Sequence, residues 1–178
     1  TQKSTSKPIS EEFRKEWLEI VRDKEYFAVF DWLEALSIEN KQAQISVYES
    51  ADILRKLQLK SYSGGYKFTI IWLPERMNGS SANKLLKILE EPPEKTVFIL
   101  VSENPDALLQ TITSRCQKVL VPKYTLSDVE KYLQDLEHLD SSASSVIAKL
   151  ADGSLAQAKK LAANSDAFKD YALLFSKW

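Results

Sequence analysis

A helix with a hard stop, set between short apolar runs, constrains this chain more than any other feature. Ala82, Leu85, Leu86 and Leu89 recur at the i, i+3, i+4, i+7 spacing of one helical face, while Lys84, Lys87 and Glu91 fall mostly on the other. Ser80 or Ser81 is placed to cap the start by accepting from a free backbone N–H. Pro92 disfavours helical geometry at Glu91, and Pro93 does the same to Pro92, so the helix ends there and the chain leaves extended. Before it runs Tyr66 to Leu73; after it, Thr96 to Ser102 is continuously apolar and β-branched, the pattern of a strand buried on both faces. Gln117 to Pro122 reads as a third strand. Strand, helix, strand, helix, strand is the order that gives right-handed crossovers, so the fold class is α/β, a small parallel sheet covered by helices.

The flanks are helical. Ser10-Glu11-Glu12 opens an acidic helix start, with Phe13, Trp17, Ile20 and Val21 as the apolar stripe of a helix running to about Lys24. A second short helix is expected within the aromatic-dense Tyr26 to Leu36, and Ile38 to Gln44 is a polar connector. A third helix begins at Ser46, faces Val47, Ala51, Leu54 and Leu57 inward, and ends near Ser61 before the turn Ser63-Gly64-Gly65. From Leu126 to Trp178 there are three or four helical patterns and no strand; Ser127-Asp128-Val129-Glu130 starts the first, and Asp152-Gly153-Ser154 separates the next two. The expected organisation is a flexible lead-in over 1–8, an α/β domain over 9–123 and a helical domain over 124–178.

With 44% hydrophobic and 28% charged residues the chain reads as globular. No apolar stretch approaches the roughly 18 residues a spanning helix needs, and the polar start resembles no signal peptide, so the expected compartment is the cytoplasm. The single cysteine, Cys116, excludes an internal disulfide and a cysteine-rich metal site. A formal charge of −1 argues against holding DNA through a large basic surface, because such affinity comes from neutralising many phosphates.

Residues 45–162 resemble the AAA+ module of bacterial DNA polymerase III clamp-loader subunits. The matching segments are Tyr66-Lys67 to Ile71, Asn78 to Pro93, Thr96 to Ser102, Leu109 to Gln117, and Gly153-Ser154 with Ala158. The resemblance implies a partial P-loop-type parallel sheet followed by a helical lid. It also implies membership of the DNA polymerase III holoenzyme, with motor (gamma/tau) and delta subunits, the sliding clamp and primed DNA as partners.

The departures point to a member without catalysis of its own. No G-x-x-x-x-G-K-[ST] loop for phosphates occurs in the chain. Where the family carries the Asp that helps hold magnesium and the Glu that polarises water, this chain has Trp72 and Leu73. Glu75 matches a later acidic position. Ser102-Glu103 replaces the first sensor residue, and Ala156 stands where the second sensor arginine is usual. The implied cofactor set is therefore none in this chain and no metal, with ATP and magnesium in partner subunits.

Arg115 is retained, with Ser114 supporting its motif. In the family the arginine of Ser-Arg-Cys reaches a neighbour's γ-phosphate, and a guanidinium suits this because it stays charged and presents donors in a rigid plane. Out of context, an arginine at a helix end reads as a solvated charge or structural ion pair; the run Thr111 to Cys116 is what singles this one out. Cys116 reads as a small buried apolar residue, Glu90-Glu91 as solvated acids rather than a catalytic pair, Lys84 and Lys87 as surface, and Trp72 as core. Two rivals stand beside this reading. One is an ATPase motor whose nucleotide loop lies upstream, opposed by Trp72, Leu73 and Ala156. The other is a degenerate AAA+ adaptor that only binds proteins, disfavoured by Arg115.

Overall fold

The structure, a computed structural model, describes residues 9–38, 42–59 and 64–164. The expected lead-in, the end of the third helix near Ser61, Ser63 at the start of the expected turn and any fourth helix beyond Asn164 lie outside these residues. Two compact units are present: the first holds the described residues up to Asp23 together with Val29–Val119, and the second holds Lys24–Ala28 and the described residues from Leu120 onward. The sequence pattern had no signal for the return of Lys24–Ala28 to the second unit. The reason is packing: Tyr26 meets the ring of Tyr132 edge-on, with centroids 6.0 Å apart, beside the apolar core of that unit.

In the first unit, a 3-10 turn (Ser10–Phe13) leads into α1 (Arg14–Asp23), followed by α2 (Val29–Ala35) and α3 (Val47–Gln58). Strand β1 (Lys67–Trp72), helix α4 (Gly79–Glu90) and strand β2 (Thr96–Val101) make a β-α-β unit, and the short α5 (Gln110–Thr113) follows. The strands pair in parallel, with Lys67 opposite Thr96 and Trp72 opposite Val101. Helix α4 buries Ala82 and Leu85, the latter completely. Its cap is Asn78, whose side chain accepts from Ser81 N–H at 2.8 Å, not Ser80 or Ser81. Ser81 is needed elsewhere: its hydroxyl lies 2.5 Å from that of Ser50 and donates to the Ser46 carbonyl at 3.2 Å. These fully buried serines let α3 and α4 approach closely with their polar atoms satisfied.

Two expectations about the sheet fail. The strands are not buried on both faces: Phe68 and Ile70 remain 65% and 66% exposed, and Ile99 and Val101 are exposed beside them. The alternate residues, Ile71 among them, turn toward a covering layer within the described residues, while on the exposed face Trp72 is half-buried at the strand end. The third run, Gln117 to Pro122, forms no strand, and Val119, Leu120 and Val121 are the most exposed aliphatic residues described. A strand exists only through its ladder, and among the described residues no neighbour offers one.

The second unit contains α6 (Leu126–Asp135), α7 (Ser141–Ala151) and α8 (Leu155–Ala163) around Val129, Leu133, Ile147, Ala148 and Ala158. Thr125 caps α6 in a reciprocal box with Asp128, two residues earlier than the polar run at Ser127 suggested. The Thr125 bonds hold the Asp128 carboxyl below its usual range. Among the described residues no helix is long and apolar enough to cross a membrane.

Candidate functional site

The chain leaves β1 through a turn that decides what its strand end can do. Trp72 packs its ring 5.5 Å from Trp17, which in turn meets Trp32 edge-on at 5.4 Å. Leu73 is 4% exposed and left-handed (φ 55°, ψ 56°), a conformation that costs a residue with a Cβ about 1–2 kcal/mol. Its N–H donates to the Val101 carbonyl at 2.8 Å, and Pro74–Arg76 then completes a 3-10 turn. An indole in an aromatic cluster and a buried isobutyl group offer neither an oxygen for a metal nor a base for water. Among the described residues no group of three or more His, Cys, Asp or Glu side chains is placed to hold a metal ion.

The turn brings Glu75 back toward the end of β2. Glu75 Oε2 accepts from the Ser102 hydroxyl at 2.8 Å, and Oε1 accepts from the N–H groups of Glu103 and Asn104 at 3.0 and 3.1 Å. One carboxylate thus ties the end of one strand to the loop leaving the other. The sequence marked Glu75 only as an acid displaced from the expected site, because its partners lie 27 to 29 residues away.

Arg115 follows α5, whose Ile112 is buried and anchors the helix. Its guanidinium pairs with Glu90 at the end of α4, donates to the Thr111 carbonyl at 2.5 Å and reaches the Ser114 hydroxyl at 3.4 Å. The side chain keeps 29% of its surface accessible. Glu90 is therefore ion-paired, not merely solvated as its helix-end position suggested. A carboxylate in the last turn opposes the helix dipole, and that conflict was the available signal that it needed a cation. The structure brings Arg115, Ser114, Glu90 and Thr111 together; Lys84 and Lys87 are exposed on α4. Cys116 is half-buried, and burial pushes its thiol up, which favours the protonated form.

Ala156 belongs to the second unit, where it lines an open cleft with Tyr26, Phe27, Tyr124 and Gly153. Its methyl group has no charge with which to meet a phosphate.

A parallel strand-helix-strand unit with further helices, carrying an accessible arginine on a short helix after its second strand, defines a member of the α/β class. Residues 24–125 match the family described as DNA polymerase III, delta subunit. That is more than half of the chain, and the chain belongs to this family. It is 42% identical to the delta-prime subunit of DNA polymerase III from Yersinia pestis over 88 residues, 48% of this chain and 25% of that protein. Against the tau subunit from Escherichia coli (strain K12) it is 32% identical over 127 residues, 67% of this chain and 19% of that protein. A crystal structure of a gamma subunit-related protein from Thermotoga maritima shares 32% identity, covering 60% of this chain and 39% of that one, with a TM-score of 0.46. The chain thus spans a quarter or less of the length of these two curated relatives.

Proposed function

We propose that the chain is part of a delta-prime-type subunit of the bacterial clamp loader, an AAA+ assembly that places the sliding clamp on primed DNA. It hydrolyses no ATP itself. Arg115 extends across a subunit interface to ATP and magnesium held by a neighbouring gamma or tau motor subunit, with the delta subunit as a further ring partner. As the terminal phosphoryl group transfers, negative charge spreads over its oxygens, and a guanidinium supplies fixed positive charge and several N–H donors there.

The observation that carries the reading is the contrast between the two ends of the β-α-β unit. Trp72 and Leu73 fill the strand end with apolar groups, while Arg115 keeps an accessible guanidinium on a short anchored helix. The test is the ATPase rate, with clamp and primed DNA, of a ring reconstituted from full-length subunits. Arg115→Ala is expected to slow hydrolysis at the adjoining site by about 10³–10⁵-fold, the range for such arginines. An assembled ring with an unchanged rate refutes the role.

A second reading, an ATP-hydrolysing motor subunit, is favoured by the longer stretch shared with the tau subunit. Trp72 and Leu73 oppose it. Nucleotide hydrolysis by the isolated full-length subunit would decide for it.

A further inference from the structure

The segment from Ser102 to Thr111 is held in an unusual way. Only Ser102 and Leu108 within it are even half-buried, so apolar packing contributes little until Ile112. Its short-range bonds run in series: Ala107 N–H to the Asn104 carbonyl, Leu108 N–H to Pro105, and Ile112 and Thr113 N–H to Leu109. They shape the segment without attaching it to anything else. Among the described residues its long-range hydrogen bonds run to Glu75, which takes the Ser102 hydroxyl and two successive backbone N–H groups on one carboxylate. Arg115 stands at the far end of this series, and its own backbone N–H closes onto Ile112 at 3.0 Å.

Glu75 is itself fixed in direction. The left-handed Leu73 and the ring of Pro74 reverse the chain after β1, and Met77 N–H returns to the Pro74 carbonyl at 3.0 Å. We infer that Glu75 is a positioning residue for Arg115: by holding Ser102, Glu103 and Asn104 it sets the start of the segment that presents the guanidinium. This rests on the proposed role of Arg115. A donor placed about 1 Å away from a transition-state oxygen loses up to about a hundredfold in rate, so a small slip of this segment matters more to catalysis than to folding.

The chemistry specifies the variants. In Glu75→Ala all three bonds go. In Glu75→Gln the amide oxygen still accepts from Glu103 and Asn104, and the amide N–H₂ donates to the Ser102 hydroxyl, which also accepts. In the reconstituted ring of full-length subunits, Glu75→Ala is expected to lower ATPase kcat by about ten- to a hundredfold with KM for ATP unchanged. Glu75→Gln is expected to recover most of it, and Glu75→Ala is expected to cause no further loss in an Arg115→Ala ring. In the full-length subunit alone, amide exchange at Glu103 and Asn104 accelerates in the alanine variant and stays slow in the glutamine one. Full kcat for Glu75→Ala, or losses that multiply with Arg115→Ala, overturns the inference. Unaltered exchange at Glu103 and Asn104 overturns the hold while leaving the arginine role standing. A fully active Arg115→Ala ring overturns that role and this one with it, whatever the exchange data show for Glu75.

Discussion

Gly153→Ala is expected to destabilise the helical unit severely, although it adds one methyl group. Gly153 has φ 76° and follows Asp152, also left-handed at φ 47°, where α7 turns toward α8. A Cβ there would lie 2.6 Å from the Tyr124 carbonyl oxygen and 2.8 Å from the Lys123 Cβ. Neither obstacle is the flexible end of a side chain. Contacts of this kind normally sit at about 3.5 Å, so the backbone at Lys123–Tyr124 must retreat by roughly 0.5–1 Å. That retreat breaks the Tyr124 N–H bond to the Gly153 carbonyl, worth about 1 kcal/mol. Left-handed alanine costs about 1–2 kcal/mol more, and the smaller entropy of the unfolded alanine chain returns about 0.4–1 kcal/mol. With the strain of the displaced backbone the net cost is about 2–4 kcal/mol.

Amide exchange reads this directly. Protection at the buried Leu133, Ile147 and Ala158 should fall by about 30- to 700-fold, since 1.4 kcal/mol is a factor of ten. Gly79→Ala is the control: nothing lies within 4 Å of its would-be Cβ, and it sits at the first position of α4. There alanine should be neutral or stabilise by up to about 1 kcal/mol. Unchanged protection in Gly153→Ala, or equal losses in both variants, would refute the close-approach argument.

Asp52 is almost buried on α3, where Lys56 first and Arg55 second hold its carboxyl below the usual range. Its stabilisation is therefore present above the unfolded value of about 3.9 and lost as pH falls through the lower folded value. Asp52→Asn should cost about 1–2 kcal/mol in urea denaturation at pH 7, and the difference from the native chain should shrink toward pH 3. A gap that stays constant with pH would contradict this. The Lys56 ammonium is raised by Glu11 and Asp52, so the stability tied to its own protonation is present below about pH 10.4 and lost as pH rises through its higher folded value. Glu90→Gln frees Arg115 from an exposed pair worth about 0.3–1 kcal/mol, so the subunit concentration giving half-maximal ring ATPase should fall about two- to fivefold with the fold unaffected. An unaltered concentration dependence would mean that the pair does not compete with the arginine's task.

The sequence by itself determined the features carried by neighbours in the chain. The Pro92-Pro93 stop, the face of α4, two of the apolar strand runs and the three helices from Leu126 to Ala163 all depend on bonds or spacings within a few residues. The same holds for Trp72 and Leu73, whose side chains offer no carboxylate in any fold. Tertiary structure decided what depends on distant partners. The run Gln117–Pro122 has strand composition, but a strand requires a neighbour, and among the described residues it has none. Asn78 rather than Ser81 caps α4, because Ser81 is drawn to Ser50 on α3. Glu75 and Glu90 looked like spare acids; the fold closes 27 residues between Glu75 and Ser102 and 25 between Glu90 and Arg115, making one a tether and the other a counter-ion. A side chain's type limits which bonds it can make, and the fold chooses the partner among groups that no local pattern brings together.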